Sequence, residues 1–305
     1  MKIGFIGLGS MGFGMARNLI EANHAVLGFD ISAEARRRFE EVGGNACTDV
    51  LDTCQNVDAL FVMVVNAGQA RDVLFEKGVA GALPEGAVVL MCPTMSPADA
   101  REIGNRLLEQ NLLVIDSPVS GGQKGAEAGT LSIMASGTDA AFDKAEPILQ
   151  AISKKVYRLG AEPGIGTTYK IVHQLGAGIH IAVLGELMAF GVRAGCDPNT
   201  LFDIVSNSAA QSWMFDDRGP DLLKGDHHPR SAVDIFVKDL GLVLEAGAEV
   251  RMPLPMASAA HQLFMAASSA GYGQLNDAAV VKVFEDLTGV DVAQGISGLE
   301  NQADG

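Results

Sequence analysis

The run Gly7-Leu8-Gly9-Ser10-Met11-Gly12 restricts the fold of this chain more than any other stretch. It follows a short apolar segment, residues 2–6, and precedes residues 13–20, which have helical character. A bare G-x-G-x-x-G carries little weight. Placed after a strand and opening a helix, it predicts the first turn of a βαβ unit. There Gly7 allows the tight turn, Gly9 lets a pyrophosphate approach the backbone, and Gly12 lets helix pack closely on strand. The loop positions Leu8, Ser10 and Met11 complete a helix N-terminus whose N–H groups can face phosphates.

The pattern that follows supports this reading. A second strand over residues 25–29 ends at Asp30, and an acid there hydrogen-bonds the ribose hydroxyls of a dinucleotide and repels a 2′-phosphate. Asp30 therefore favours NAD over NADP. Arg36, Arg37 and Arg38 lie nearby, and a helical reading turns them toward solvent. Further apolar strands are expected at 59–64, 87–91, 112–115, 130–135 and 155–157, separated by helical stretches such as 98–110. Strands alternating with helices predict an α/β Rossmann domain, a doubly wound parallel sheet. Ligands bind beyond the carboxyl ends of such strands, which places Val65, Asn66 and Thr94 beside the cofactor. The segment Ser117-Pro118-Val119-Ser120-Gly121-Gly122 offers a hydroxyl and unobstructed N–H groups, suited to a carboxylate. A Gly/Pro-rich stretch at 160–166 marks the expected boundary between a dinucleotide-binding domain over 1–163 and a second domain over 164–292, with a flexible tail over 293–305.

The second domain opens with an apolar helix running to about residue 194. Lys170, His173 and Gln174 stand near its start and share one face, being three and four residues apart. A membrane span is the rival reading of this run. Against it stand two ionisable residues, His180 and Glu186, and a glycine-rich body. Helical periodicity continues at 198–207, 218–223, 231–248, 256–270 and 278–288, with Pro198 following an Asp197 cap. The domain reads as all-α.

Composition bounds the function. The 305 residues are 48% hydrophobic and 19% charged, enough for a large core, and the formal net charge is −15. Such a balance argues against nucleic acid as a partner and makes each cation conspicuous, Lys170 above all. Cys47, Cys54, Cys92 and Cys196 have no metal-ligand or disulfide spacing, so reduced thiols in a cytoplasmic protein are expected. The apolar run after Lys2 is too short for a signal peptide. His227-His228 has no third ligand in register, so no metal is expected. His180 and His261 read as satisfied core residues, and Trp213 as a binding-site wall.

Four separated motifs, 4–12, 116–122, 164–170 and 237–240, resemble the β-hydroxyacid dehydrogenase family, the 3-hydroxyisobutyrate dehydrogenase group. The resemblance implies a Rossmann domain, an all-α domain and a cleft between them. It implies that Ser120, Gly121 and Gly122 bind the substrate carboxylate, that Lys170 is the catalytic acid/base, and that Lys238 closes on the nicotinamide side of NAD. A homodimer or homotetramer is also implied. The family usually has two asparagines three and four residues after the lysine, where this chain has His173 and Gln174. That pair, with 211–215 and 229–239, resembles a subgroup oxidising C2 of a four-carbon polyhydroxy acid, whose extra hydroxyls suit larger polar groups. The alternatives are action on 3-hydroxyisobutyrate or tartronate semialdehyde, and a non-catalytic NAD-binding sensor. Lys170 works as a base only if its ordinary pKa near ~10.4 is lowered by desolvation or a second cation, with Lys238 the candidate. His173 is the alternative base.

Overall fold

In the computed structural model, which describes residues 1–295, the strand before the glycine loop lies inside a sheet. This strand, β1 (Lys2–Ile6), pairs in parallel with β2 (Ala25–Phe29) on one side and β4 (Ala59–Val62) on the other. The remaining strands are β3 (Asn45–Ala46), β5 (Val88–Met91), β6 (Leu113–Asp116), β7 (Val119–Ser120), β8 (Leu131–Gly137) and β9 (Ser153–Arg158). The order is β3-β2-β1-β4-β5-β6-β8-β7, with β9 also pairing β8. Chain direction across the sheet reverses between β1 and β4, which is where such sheets bind their ligands.

The sheet is parallel from β3 to β6, as the alternation predicts. It then departs from a wholly parallel arrangement, because β8 runs antiparallel to both β6 and β7. A parallel return needs a full crossover helix. Here the chain leaves β6, adds the two residues of β7, and has only a short helix, Gly122–Glu127, before β8. Parallel pairing resumes between β8 and β9 across a longer helix, Asp139–Ile152.

Helices α1 (Ser10–Glu21), α2 (Ala33–Glu41), α3 (Ala67–Arg71), α4 (Val79–Ala82), α5 (Pro97–Leu108), α6 (Gly122–Glu127) and α7 (Asp139–Ile152) cover the sheet. Side-chain oxygens of Ser32, Asn66, Ser96 and Thr138 cap α2, α3, α5 and α7, each satisfying an orphan N–H worth about 1 kcal/mol. Alternate strand residues feed two apolar clusters. Ile3, Phe5, Phe61 and Leu90 enter one with Met15 and Leu19, and Ile6, Leu60, Val62 and Val89 enter the other with Leu74 and Ile103. Phe5 and Phe61 stack at 5.2 Å.

The chain divides into two compact units, Met1–Ile171 and the residues from Val172 onward. Helix α8 (Ile165–Arg193) runs unbroken through that division. In the second unit follow α9 (Pro198–Ser206), α10 (Trp213–Leu223), α11 (Val233–Glu249), α12 (Pro255–Ala267) and α13 (Lys282–Thr288), with a 3-10 segment, Asp277–Val281, before α13. Helix α8 is long and apolar enough to cross a membrane, yet 56% of its most apolar stretch is buried in the protein. Its glycines explain the packing. A Cβ on Gly178 would meet Leu240 of α11 at 2.8 Å, and one on Gly191 would meet Leu201 of α9 at 2.1 Å.

Helix α10 begins five residues before the expected 218, capped by Ser212, whose Oγ accepts from the Phe215 N–H. Gly219 and Pro220 lie inside the helix and are poor helix formers. Tertiary contacts override them: Arg218, buried, donates to Asp277 at 2.7 and 3.0 Å and pairs with Asp217. Of the expected tail over 293–305, Gly295 closes a turn onto the Asp291 carbonyl, while residues 296–305 lie outside the described part.

Candidate active site

The glycine loop leaves β1 with the geometry its spacing predicts. Gly7 has φ +97°, and a Cβ there would lie 2.2 Å from the Met63 carbonyl oxygen. A Cβ on Gly12 would lie 1.9 Å from the Gly7 oxygen, so α1 seats directly on the turn. Gly9 differs from both: a Cβ there would meet nothing within 4 Å. Gly9 is also the N-cap of α1 without a side-chain cap bond, and Gly9 and Ser10 are exposed. An accessible helix N-terminus with open space above it fits a pyrophosphate. Leu8 is buried and Met11 half-buried, so these two contribute backbone to the loop.

Asp30 stands at the end of β2, and its carboxylate braces this loop. Its Oδ2 accepts from the Leu8 N–H at 2.7 Å and its Oδ1 from the Ser32 N–H at 2.8 Å. Arg37 and Arg38 are exposed as expected, but Arg36 is half-buried and donates to the Asp30 carbonyl at 2.5 Å. Its guanidinium also lies 5.9 Å from the centre of the Phe29 ring at the end of β2, so a cation accompanies the acid. Val65 and Asn66 follow β4. Val65 is 47% exposed, and Asn66 caps α3 by accepting from the Gln69 N–H at 2.9 Å. Thr94, half-buried, lies in the loop after β5.

Ser120 ends β7, and the next two residues, the N-cap and first residue of α6, both have positive φ, +132° at Gly121 and +59° at Gly122. Behind them lies a residue whose importance sequence reasoning missed. Asp116, 1% exposed at the end of β6, accepts from the Gly164 N–H at 2.9 Å, the Thr167 N–H at 2.8 Å and the Thr167 hydroxyl at 2.6 Å. The carboxylate thus grips the start of α8, where a negative charge also suits the helix dipole. Burial pushes its carboxyl above the usual range, against the bonds from Thr167, Gly164 and Ser136. Lys170 follows Thr167 by three residues on the same helix and is 6% exposed. A lysine this buried differs from a solvated helix-entrance lysine.

In the second unit, the next turn of α8 carries His173, exposed, and Gln174, 6% exposed. The Gln174 amide is engaged at both ends, to Asp239 Oδ2 at 2.5 Å and to His173 Nδ1 at 3.0 Å. Lys238 Nζ lies 2.6 Å from Asp239 Oδ1, so its charge is compensated within its own unit. Asp239, 1% exposed, is the second residue that sequence reasoning passed over. Both acids lay within the matching motifs, but their partners are 48 to 65 residues away in the chain.

The other candidates fall outside these groupings. Trp213 is 52% exposed on the first turn of α10. His261, half-buried, places Nε2 3.1 Å from the Val237 carbonyl and is satisfied as expected, whereas His180 is exposed. Its row on α8 faces outward, so it is not a core residue. His227 is half-buried and His228 exposed in the loop before α11. All four cysteines are free thiols.

Comparison with known proteins agrees with this architecture. Residues 2–160 match the NAD binding domain of 6-phosphogluconate dehydrogenase, and residues 164–284 match the family model described as NAD-binding of NADP-dependent 3-hydroxyisobutyrate dehydrogenase. The chain belongs to the β-hydroxyacid dehydrogenase family, the NAD-binding oxidoreductases that include 3-hydroxyisobutyrate dehydrogenase. Within it, the chain is 48% identical over 287 residues to an L-threonate dehydrogenase of Cupriavidus necator, covering 94% of this chain and 97% of that one. An L-threonate dehydrogenase of Escherichia coli K12 is 46% identical over 288 residues, covering 94% and 95%. Among solved structures, a 3-hydroxyisobutyrate dehydrogenase from Salmonella typhimurium superposes with a TM-score of 0.89 at 45% identity, covering 93% and 99%.

Proposed function

We propose that this enzyme is an NAD-dependent L-threonate 2-dehydrogenase, oxidising the C2 hydroxyl of a four-carbon sugar acid to the 2-oxo acid. The observation that carries the reading is the His173-Gln174 pair one turn beyond a buried Lys170, in a chain similar to L-threonate dehydrogenases along nearly its whole length. NAD, when bound, supplies the hydride acceptor. Gly7, Leu8, Gly9, Ser10, Met11 and Gly12 hold its pyrophosphate, and Asp30 takes the ribose hydroxyls. Val65, Asn66 and Thr94 line the cofactor side, with Lys238 toward the nicotinamide. Ser120 and the Gly121 and Gly122 amides hold the substrate carboxylate. Lys170 hydrogen-bonds the reacting hydroxyl and accepts its proton as hydride leaves the same carbon. His173 and Trp213 contact the rest of the substrate.

Turnover on a panel of hydroxy acids with both NAD and NADP tests this. L-threonate with NAD is expected to be the best pair, and fast oxidation of 3-hydroxyisobutyrate with none of threonate refutes the choice. Arg36 beside Asp30 gives the NADP arm its point, because a guanidinium there can pair with a 2′-phosphate. Lys170→Ala is expected to lower kcat by ~10²-fold or more while NAD affinity stays within a few-fold.

We also propose a homodimer or homotetramer in the cytoplasm. Val172, Val183 and Phe190 fall on one row of α8 and are 68%, 44% and 72% exposed. Apolar rows of this kind mark protein contacts. The free thiols fit a reducing compartment.

A further inference from the structure

Between His173, Gln174, Lys238 and Asp239, chemistry leaves one arrangement of hydrogens. Asp239 pairs with Lys238 through Oδ1, an ion pair at 2.6 Å. Its Oδ2 faces the Gln174 amide as an acceptor with no proton to give. The amide must therefore turn its NH₂ toward Asp239, which is the arrangement observed between Nε2 and Oδ2. That orientation sends the amide carbonyl the other way, to 3.0 Å from His173 Nδ1. A carbonyl oxygen only accepts, so Nδ1 must carry the hydrogen. In a neutral imidazole the lone pair then belongs to Nε2.

We propose that Asp239, acting through Gln174, is a positioning residue that fixes His173 as the Nδ1–H tautomer and makes Nε2 the acceptor offered by this exposed ring. Nothing in the residue types alone dictates this. An imidazole in water exchanges between tautomers, and a glutamine amide presents either end. The buried carboxylate removes both freedoms in succession, because Asp239 and Gln174 are 1% and 6% exposed and cannot exchange these partners for water at little cost. Close packing of α8 on α11, where Gly178 leaves no room for a Cβ beside Leu240, holds the two helices at the spacing the relay needs. In the substrate reading above, a hydroxyl of the polyhydroxylated acid donates to this Nε2. This last point rests on the substrate reading above. It assigns Gln174 to orienting His173 rather than to touching substrate.

The tautomer is read directly in the full-length protein labelled with ¹⁵N in its histidine rings, by two-bond ¹⁵N–¹H correlation at a pH where the ring is neutral. The His173 signals are assigned by their loss in His173→Asn. The expected result is protonated Nδ1 and unprotonated Nε2 in the wild type, with the Nε2–H tautomer appearing in Asp239→Asn. Gln174→Met, which removes the relay without touching the Lys238 ion pair, is expected to give the same change and serves if the first variant does not fold. A wild-type ring protonated at Nε2, or a tautomer unchanged in the variants that fold, overturns the proposal. Kinetics then test the donor. Wild-type kcat/KM is expected to fall ~10-fold or more when the C3 or the C4 hydroxyl of threonate is deleted, and His173→Leu is expected to erase that difference. If threonate is not a substrate, the substrate reading fails while the tautomer measurement stands.

Discussion

Asp116 shows how much a single buried side chain can organise. Its carboxylate joins the end of β6 to the first turn of α8 through three buried hydrogen bonds. Asp116→Ala is expected to destabilise the protein by about 2–4 kcal/mol, since each orphaned buried donor costs about 1–3 kcal/mol and the desolvation of the carboxylate is recovered in part. Asp116→Asn, which keeps an acceptor, is expected to cost less. Thermal melts of the two variants check both, and equal losses would show that the charge rather than the acceptors matters. At this scale the sequence was legible where chemistry is local. The loop glycines and Asp30 could be read because strand, turn and helix follow one another directly. Asp239 could not, because its partner Gln174 lies on a different helix. The half-burial of Arg36 was hidden for the same reason, since its position depends on how far α2 folds back over β2.

Among the elements, α8 holds two glycines with opposite roles. A Cβ on Gly166 would come within 2.4 Å of the Met134 carbonyl and 2.7 Å of the Asp116 carbonyl, both backbone atoms that cannot step aside. A Cβ on Gly176 would meet nothing within 4 Å. Gly176→Ala is therefore expected to stabilise the fold by about 0.5–1 kcal/mol through helix propensity, and Gly166→Ala to destabilise it by about 1–3 kcal/mol through strain. Chemical denaturation of the pair measures this, and matching signs would disprove the packing argument. Periodicity alone treats the two positions alike. It located α8 to within two residues of its ends, yet placed the start of α10 five residues late, missing the first turn that the Ser212 side chain caps. The antiparallel β8 was likewise beyond a reading by alternation, which gives strands but not their direction.

For the molecule as a whole, charge and surface set the behaviour. Arg71 donates to Glu102 at 2.8 Å and pairs with Asp99. Burial raises both carboxyls somewhat, but the bonds from Arg71, with Ser96 for Asp99 and Arg106 for Glu102, hold them below the ordinary 3.8 and 4.5. Groups lowered on folding stabilise the native state above their unfolded pKa and lose that contribution as pH falls through the folded value. Asp116, raised by burial, works in the opposite sense over the range above 3.8. Tm is therefore expected to fall as pH drops from about 5 to 3, with a shallower fall in Arg71→Gln. An unchanged slope would remove this pair from the acid response. Sedimentation velocity tests the outward row of α8, where Phe190→Glu is expected to shift the protein toward smaller species with its helix content kept. Oligomer size is not a property that hydrophobic patterning can encode, since a row of apolar residues reads the same facing a core or a second copy.

The grip of Asp116 on α8 has a practical corollary for dissecting the chain. A fragment stopped at residue 160, where the first family model ends, would strip that carboxylate of Gly164 and Thr167 and strand a charge in an apolar setting. Extending the fragment through Ile171 restores every donor. The longer piece is expected to be recovered soluble and to melt cooperatively, and the shorter one to aggregate, although they differ by a loop and about two turns of helix.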